Sequence, residues 1–172
     1  YTLVYTLSLH DALPIYVDVN GGTLVIGTDQ PQSPGSVLQF GDDSRILVEG
    51  TRVVELSMDV TGQTFYRGGG DLTFTNGIRG TGTLYVDAGR FERIAFGRGY
   101  TSPFTGEAIV GGGTLAITGV QPGVPALTGP ITIGDDFGAT GILDIVAGAV
   151  PSTFSPVVES DGELFLRETA EY

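Results

Sequence analysis

Gly21-Gly22-Thr23-Leu24-Val25-Ile26 (GGTLVI) returns as Gly112-Gly113-Thr114-Leu115-Ala116-Ile117 (GGTLAI), an offset of 91 residues (112 − 21). Downstream, Gly41-Asp42-Asp43 returns as Gly134-Asp135-Asp136, an offset of 93 (134 − 41). Two markers in the same order at nearly one offset predict a superrepeat of about 91–93 residues, starting near residues 21 and 112. Gly80-Thr81-Gly82-Thr83-Leu84-Tyr85-Val86 is a weaker echo of the first marker. Glycine permits the positive φ of a corner, and the residues after it alternate apolar with polar, the period-2 pattern of a strand. One such unit cannot bury its own apolar face. Stacking solves this: equivalent strands of successive coils pair in parallel, and their inward Leu, Ile and Val form one continuous core.

The same texture runs outward from the markers. No stretch carries a helical period with caps, and short β-rich runs are punctuated by glycine or polar turns. The runs are Thr23–Ile26, Val37–Phe40, Arg45–Glu49, Arg52–Leu56, Leu72–Thr75, Thr83–Asp87, Thr114–Thr118, Ile131–Ile133, Ile142–Val146 and Glu163–Leu166. A sandwich or antiparallel roll would need tight hairpins, for which Asn-Gly is the strongest signal. Asn20-Gly21 is one clear instance, and Asn76-Gly77 is a second only if Ile78 opens a strand. The repeats therefore favour an all-β fold of the parallel β-helix (β-solenoid) type.

Residues 1–15, YTLVYTLSLHDALPI, stand outside this pattern. Thr6–Ile15 is what one common short-read sequencing adapter encodes in one reading frame, and Tyr1–Tyr5 fit its dual-indexed form. A scar of this kind is set aside before fold reasoning. Asp11 and Pro14 interrupt the run, and neither a basic flank nor a small-residue cleavage site accompanies it, so it does not read as a signal peptide. The expected domain organisation is a non-native segment at 1–15 and a β-solenoid segment at 16–172. His10, the single histidine, leaves with the scar.

Composition narrows the function classes. A mean hydropathy of +0.19 and 41% hydrophobic residues are too apolar for a disordered chain. No apolar run approaches the ~20 residues of a membrane helix. The net charge of −12 opposes a nucleic-acid partner, because phosphate binding needs a basic face. Absence of cysteine excludes a disulfide scaffold and leaves the compartment open.

Tyr100–Gly119, YTSPFTGEAIVGGGTLAITG, resembles the autotransporter-associated β-strand repeat. The matching positions are Tyr100, Thr101, Thr105-Gly106, the run Ala108–Val110, Gly113-Thr114-Leu115 and the run Ala116–Thr118. Ser102-Pro103-Phe104 is an insertion relative to that pattern, and Gly99 stands where asparagine is usual. Asp71–Leu84, DLTFTNGIRGTGTL, is similar to the segment that precedes the repeat in such passengers. The resemblance implies a right-handed parallel β-helix, exported and displayed at the cell surface through an outer-membrane anchor in a C-terminal region beyond this chain. It implies no catalytic residues.

The chemistry-bearing residues are few. Asp42-Asp43 and Asp135-Asp136 are acidic pairs of the kind that run general acid–base chemistry. Both follow glycine, however, where a turn wants aspartate, and turn residues repeat with the coil whereas catalytic ones are singular. Gly68-Gly69-Gly70-Asp71-Leu72 places its aspartate too early for the calcium-binding nonapeptide. Without cysteine or a native histidine, neither a nucleophilic triad nor a transition-metal site can be assembled. Gly97-Arg98-Gly99 lacks the lysine and helix of a phosphate loop. Tyr66, Tyr85, Phe91, Phe96, Tyr100 and Phe104 form an aromatic middle with Arg90, Arg93 and Arg98, able either to stack on sugar rings or to fill a wide coil.

The expectation is a structural or adhesive, non-enzymatic segment of an exported autotransporter-type surface protein, with no catalytic, cofactor or metal residues. Its expected partners are neighbouring coils of the same longer chain and surface glycans or a host surface. The alternative is a β-helix polysaccharide-active lyase or hydrolase using the paired aspartates.

Overall fold

The computed structural model describes residues 4–5, 16–27, 36–97, 103–119, 124–134, 139–146 and 149–167. The first strands are β1 (Val4–Tyr5), β2 (Tyr16–Val19), β3 (Gly22–Ile26), β4 (Val37–Phe40), β5 (Ser44–Val48) and β6 (Arg52–Val54). Then come β7 (Ser57–Val60), β8 (Gln63–Tyr66), β9 (Leu72–Phe74), β10 (Ile78–Gly80), β11 (Thr83–Asp87) and β12 (Arg93–Phe96). The last are β13 (Glu107–Ile117), β14 (Ile131–Ile133), β15 (Gly141–Val146), β16 (Val157–Val158) and β17 (Gly162–Arg167). All strand pairings are parallel.

The pairings sort the strands onto three faces of a β-solenoid of about six turns. The first face stacks β2, β4, β7 and β10. The second stacks β1, β3, β5, β8, β11, the start of β13, β14 and β16. The third stacks β6, β9, β12, the end of β13, β15 and β17. The chain visits the faces in that order and then climbs one rung. Among the described residues there is no helix able to cross a membrane.

Alternation along each strand aims every second residue inward. On the second face the register stacks Leu24, Ile46, Tyr66, Val86, Val110 and Ile133 in one inward column. On the third face Leu72, Ile94, Leu115 and Leu143 do the same, beside Val54, Phe74, Phe96, Ile117 and Ile145. Leu24, Ile26, Leu115 and Ile117, expected inward from the repeat, are all buried. Phe74 and Phe96 stack within their column, ring centroids 5.6 Å apart. Asn20-Gly21 and Asn76-Gly77 make corners between faces, not hairpins, with Gly21 and Gly77 at φ 76° and 79°.

The superrepeat is not a structural period. Four rungs above Leu24 stands Val110, whereas Leu115 lies past the next corner on the third face. The second marker has advanced by one face as well. Gly41 leaves the first face for the second, while Gly134 leaves β14 on the second. Register partners are instead 22 residues apart at Leu24–Ile46, 20 at Ile46–Tyr66 and 24 at Val86–Val110. The offset thus spans four coils and one face. The physical reason is that each corner-plus-strand unit faces the same demands, so GGTL serves any face equally.

The coil has its own signature at the corner between first and second faces. Thr61-Gly62, Thr81-Gly82, Thr105-Gly106 and Thr128-Gly129 occupy it on successive rungs. Thr61 N–H and its hydroxyl both donate to Phe40 O, at 2.8 and 3.1 Å. Thr105 N–H donates likewise to Gly80 O at 3.0 Å, and Thr128 N–H to Phe104 O at 2.9 Å. At this corner the glycines lie so close that a side chain has no space.

β1 falls in the segment set aside as adapter-derived, and Val4 and Tyr5 pair with Thr23 and Leu24. An open ladder edge offers unpaired N–H and C=O groups to any extended segment, so the pairing carries no argument about where that segment came from.

Candidate functional site

On the third face the outward positions of the described residues form three rows. Arg93, Thr114, Ile142 and Glu163 are in register in one, Ala95, Ala116, Asp144 and Phe165 in the next, and Val146 and Arg167 in the last. Ala95 and Ala116 are buried and raise only a methyl group above the sheet. A groove of about 470 Å³ is lined by Arg93, Thr114, Ile142, Asp144, Phe165 and Arg167. It follows the solenoid axis over four rungs.

Asp144 is the most buried of the lining carboxylate and guanidinium groups, 8% exposed. A buried charge needs a partner, and Arg167 Nε donates to Asp144 Oδ1 at 2.6 Å. Among the described residues the Arg93 guanidinium makes no ion pair or hydrogen bond. Arg93 and Arg167 stand against Asp144 in the lining and the exposed Glu163 beside Ile142, so the face is balanced in charge and Arg93 is its cation without an ion pair among the described residues. Sequence reading passed over this site. Its one visible signal is Asp144 inside the aliphatic run ILDIV, an acid where a strand buried on both faces would place none.

Of the residues weighed from sequence, Arg93 lines this groove and the others lie elsewhere or outside the described residues. Asp42 and Asp43 form the turn between β4 and β5, where Asp42 Oδ1 accepts Gln63 N–H at 3.1 Å and Asp43 has φ 54°. They act there as turn residues. Asp135-Asp136 lie outside the described residues, as do His10, Arg98 and Tyr100. The Gly68–Gly70 run is held by Glu92, whose Oε1 accepts Gly69 N–H at 2.8 Å and whose Oε2 accepts Gly89 N–H at 2.5 Å. Among the described residues no three of His, Cys, Asp or Glu converge as a metal site would require.

The aromatic middle divides. Tyr66, Phe96 and Phe104 are core residues, 0–1% exposed. The Tyr66 hydroxyl lies within hydrogen-bond reach of the Gly70 and Arg93 carbonyls and donates its one proton to one or the other. Burial, then the charges of Glu92 and Asp71, hold that phenol well above its ordinary pKa. Phe91 projects alone, 92% exposed, at a turn. Tyr85 stacks outward on Phe65, centroids 4.6 Å apart at 13°, and the Arg67 guanidinium sits 5.0 Å from the Phe65 centroid. Arg67 also pairs with Asp87. The stack therefore engages ring faces along the axis, and a sugar platform needs an open ring face. The same chain matches no protein-family model, no curated protein and no solved structure.

Proposed function

We propose that this chain is a structural and adhesive stretch of an exported surface protein of the autotransporter-passenger type, without catalysis of its own. The observation that carries the reading is the fold itself: about six parallel coils whose inward columns merge into one apolar core, the arrangement of solenoids whose repeats contact only their neighbours. The turn role of Asp42 and Asp43 supports the non-catalytic part. The passenger-like repeat and the acidic, self-repelling surface support export and display.

The test is retention with integrity. Beads carrying the chain should hold surface polysaccharides from solution and leave their chain length unchanged. New reducing ends or unsaturated sugars that vanish with Asp42→Asn would replace this reading with a polysaccharide-cleaving enzyme.

A further inference from the structure

We propose that the third-face groove binds an acidic oligosaccharide, a short run of carboxylate-bearing sugars; this names the ligand class of the adhesive reading and rests on it. Four rungs at about 4.8 Å spacing put the Arg93 level roughly 14 Å from the Phe165 level, a length comparable to a trisaccharide. The groove lies on the face of a sheet whose strands β12, β13, β15 and β17 already pair with one another. A peptide that adds as a strand needs a free sheet edge, so recognition here falls to side chains.

Those side chains suit a sugar acid. Arg93 is half-buried with no ion pair among the described residues, and a guanidinium binds a carboxylate through two parallel hydrogen bonds. The Asp144–Arg167 pair offers an acceptor and donors at one point, matching the donor–acceptor character of sugar hydroxyls. The Thr114 hydroxyl stands between them and Arg93. Phe165, 47% exposed, and Ile142 supply the apolar surface against which sugar C–H faces pack. Selection of an anion over a neutral sugar falls to the Arg93 guanidinium, because Arg167 is paired with Asp144 and Glu163 stands beside Ile142 on a chain of net −12.

The test is calorimetric titration of the whole chain with a glucuronic acid trimer and with its methyl ester. The acid should bind about ten-fold tighter than the ester, and its binding should weaken with salt. Arg93→Gln should remove that preference while leaving the melting curve in place, since the Arg93 guanidinium makes no ion pair or hydrogen bond among the described residues and its carbonyl contact to Tyr66 is unaffected. Phe165→Ala should weaken acid and ester alike, and Arg45→Gln on the second face should change neither. Equal affinity for acid and ester, indifference to Arg93, tighter binding of an acidic peptide, or no binding at all would overturn the assignment. Should beads carrying Arg93→Gln retain acidic polysaccharide as well as the parent does, the adhesive reading stands and this groove is not its site. Cleavage of the trimer would instead overturn the non-catalytic reading and leave the groove as its binding site.

Discussion

Gly106 sits directly above Gly82, one rung apart, so close that a Cβ added to Gly106 would overlap the Gly82 carbonyl oxygen. Gly82 stands in the same relation to Gly62, and Gly129 to Gly106. Neither Gly82 nor Gly106 has a positive φ, so at this corner glycine is required by the approach of backbones and not by dihedral freedom. Alanine at Gly106 must push two rungs apart and should cost about 1–3 kcal/mol, the usual range for overpacking. At Gly21 nothing lies within 4 Å of an added Cβ and only the φ of 76° opposes alanine. That change should cost about 1 kcal/mol. Urea melts of the two variants measure the difference.

Leu115 has Ile94 below it and Leu143 above it, all three without solvent exposure. Leu115→Ala should cost about 2–5 kcal/mol. Thr114→Ala, one residue away and outward, should cost about 0.5 kcal/mol or less. Since coils contact only their neighbours, amide exchange should quicken near Leu115 and stay slow around Leu24.

Thr64 is buried in the inward column between Ser44 and Leu84, and its hydroxyl has no hydrogen-bond partner. Thr64→Val keeps the shape and removes an unsatisfied polar group, so it should leave stability unchanged or raise it by about 1 kcal/mol. Ser44 Oγ, in contrast, donates to Val19 O at 2.6 Å or Gly41 O at 2.8 Å. Ser44→Ala should therefore destabilise by about 1 kcal/mol. Chemical denaturation of both variants should show opposite signs.

The Tyr66 phenol is held above its ordinary pKa by burial, aided by Glu92 and Asp71. In the unfolded chain it loses its proton near pH 10, while the folded chain keeps it. The unfolded state thus binds fewer protons in that range. Stability present below about pH 10 should fall as pH rises further. Comparing urea midpoints at pH 8 and pH 11 should show a smaller fall for Tyr66→Phe than for the parent chain.

Strand texture made the architecture readable. Val37–Phe40, Thr83–Asp87 and Ile131–Ile133 match β4, β11 and β14 residue for residue, because alternation and flanking glycine mark them. β7 (SMDV) and β8 (QTFY) were missed because their short polar-rich sequences carry little hydrophobic signal alone; their neighbours on adjacent rungs make them strands. The coil length was present as Thr-Gly at 61, 81, 105 and 128. The longer GGTL marker hid it by recurring on a different face. The groove was not legible: Arg93, Thr114, Ile142 and Phe165 meet only through register, and coils of unequal length between them leave no fixed spacing in the chain.

The central claim is that sequence position maps onto height along one axis. Thr23, Arg45, Phe65, Tyr85, Ile109 and Thr132 form one outward column on the second face. The chain has no cysteine, so spin labels can be placed at will. Electron–electron distance measurements with one label at residue 23 and the other at 85, 109 or 132 test the map directly. Parallel stacking predicts backbone separations of roughly 14, 19 and 24 Å, about 4.8 Å per rung. Labels at 109 and 132 no farther from residue 23 than the label at 85 would contradict the solenoid and indicate a sandwich in which the chain doubles back.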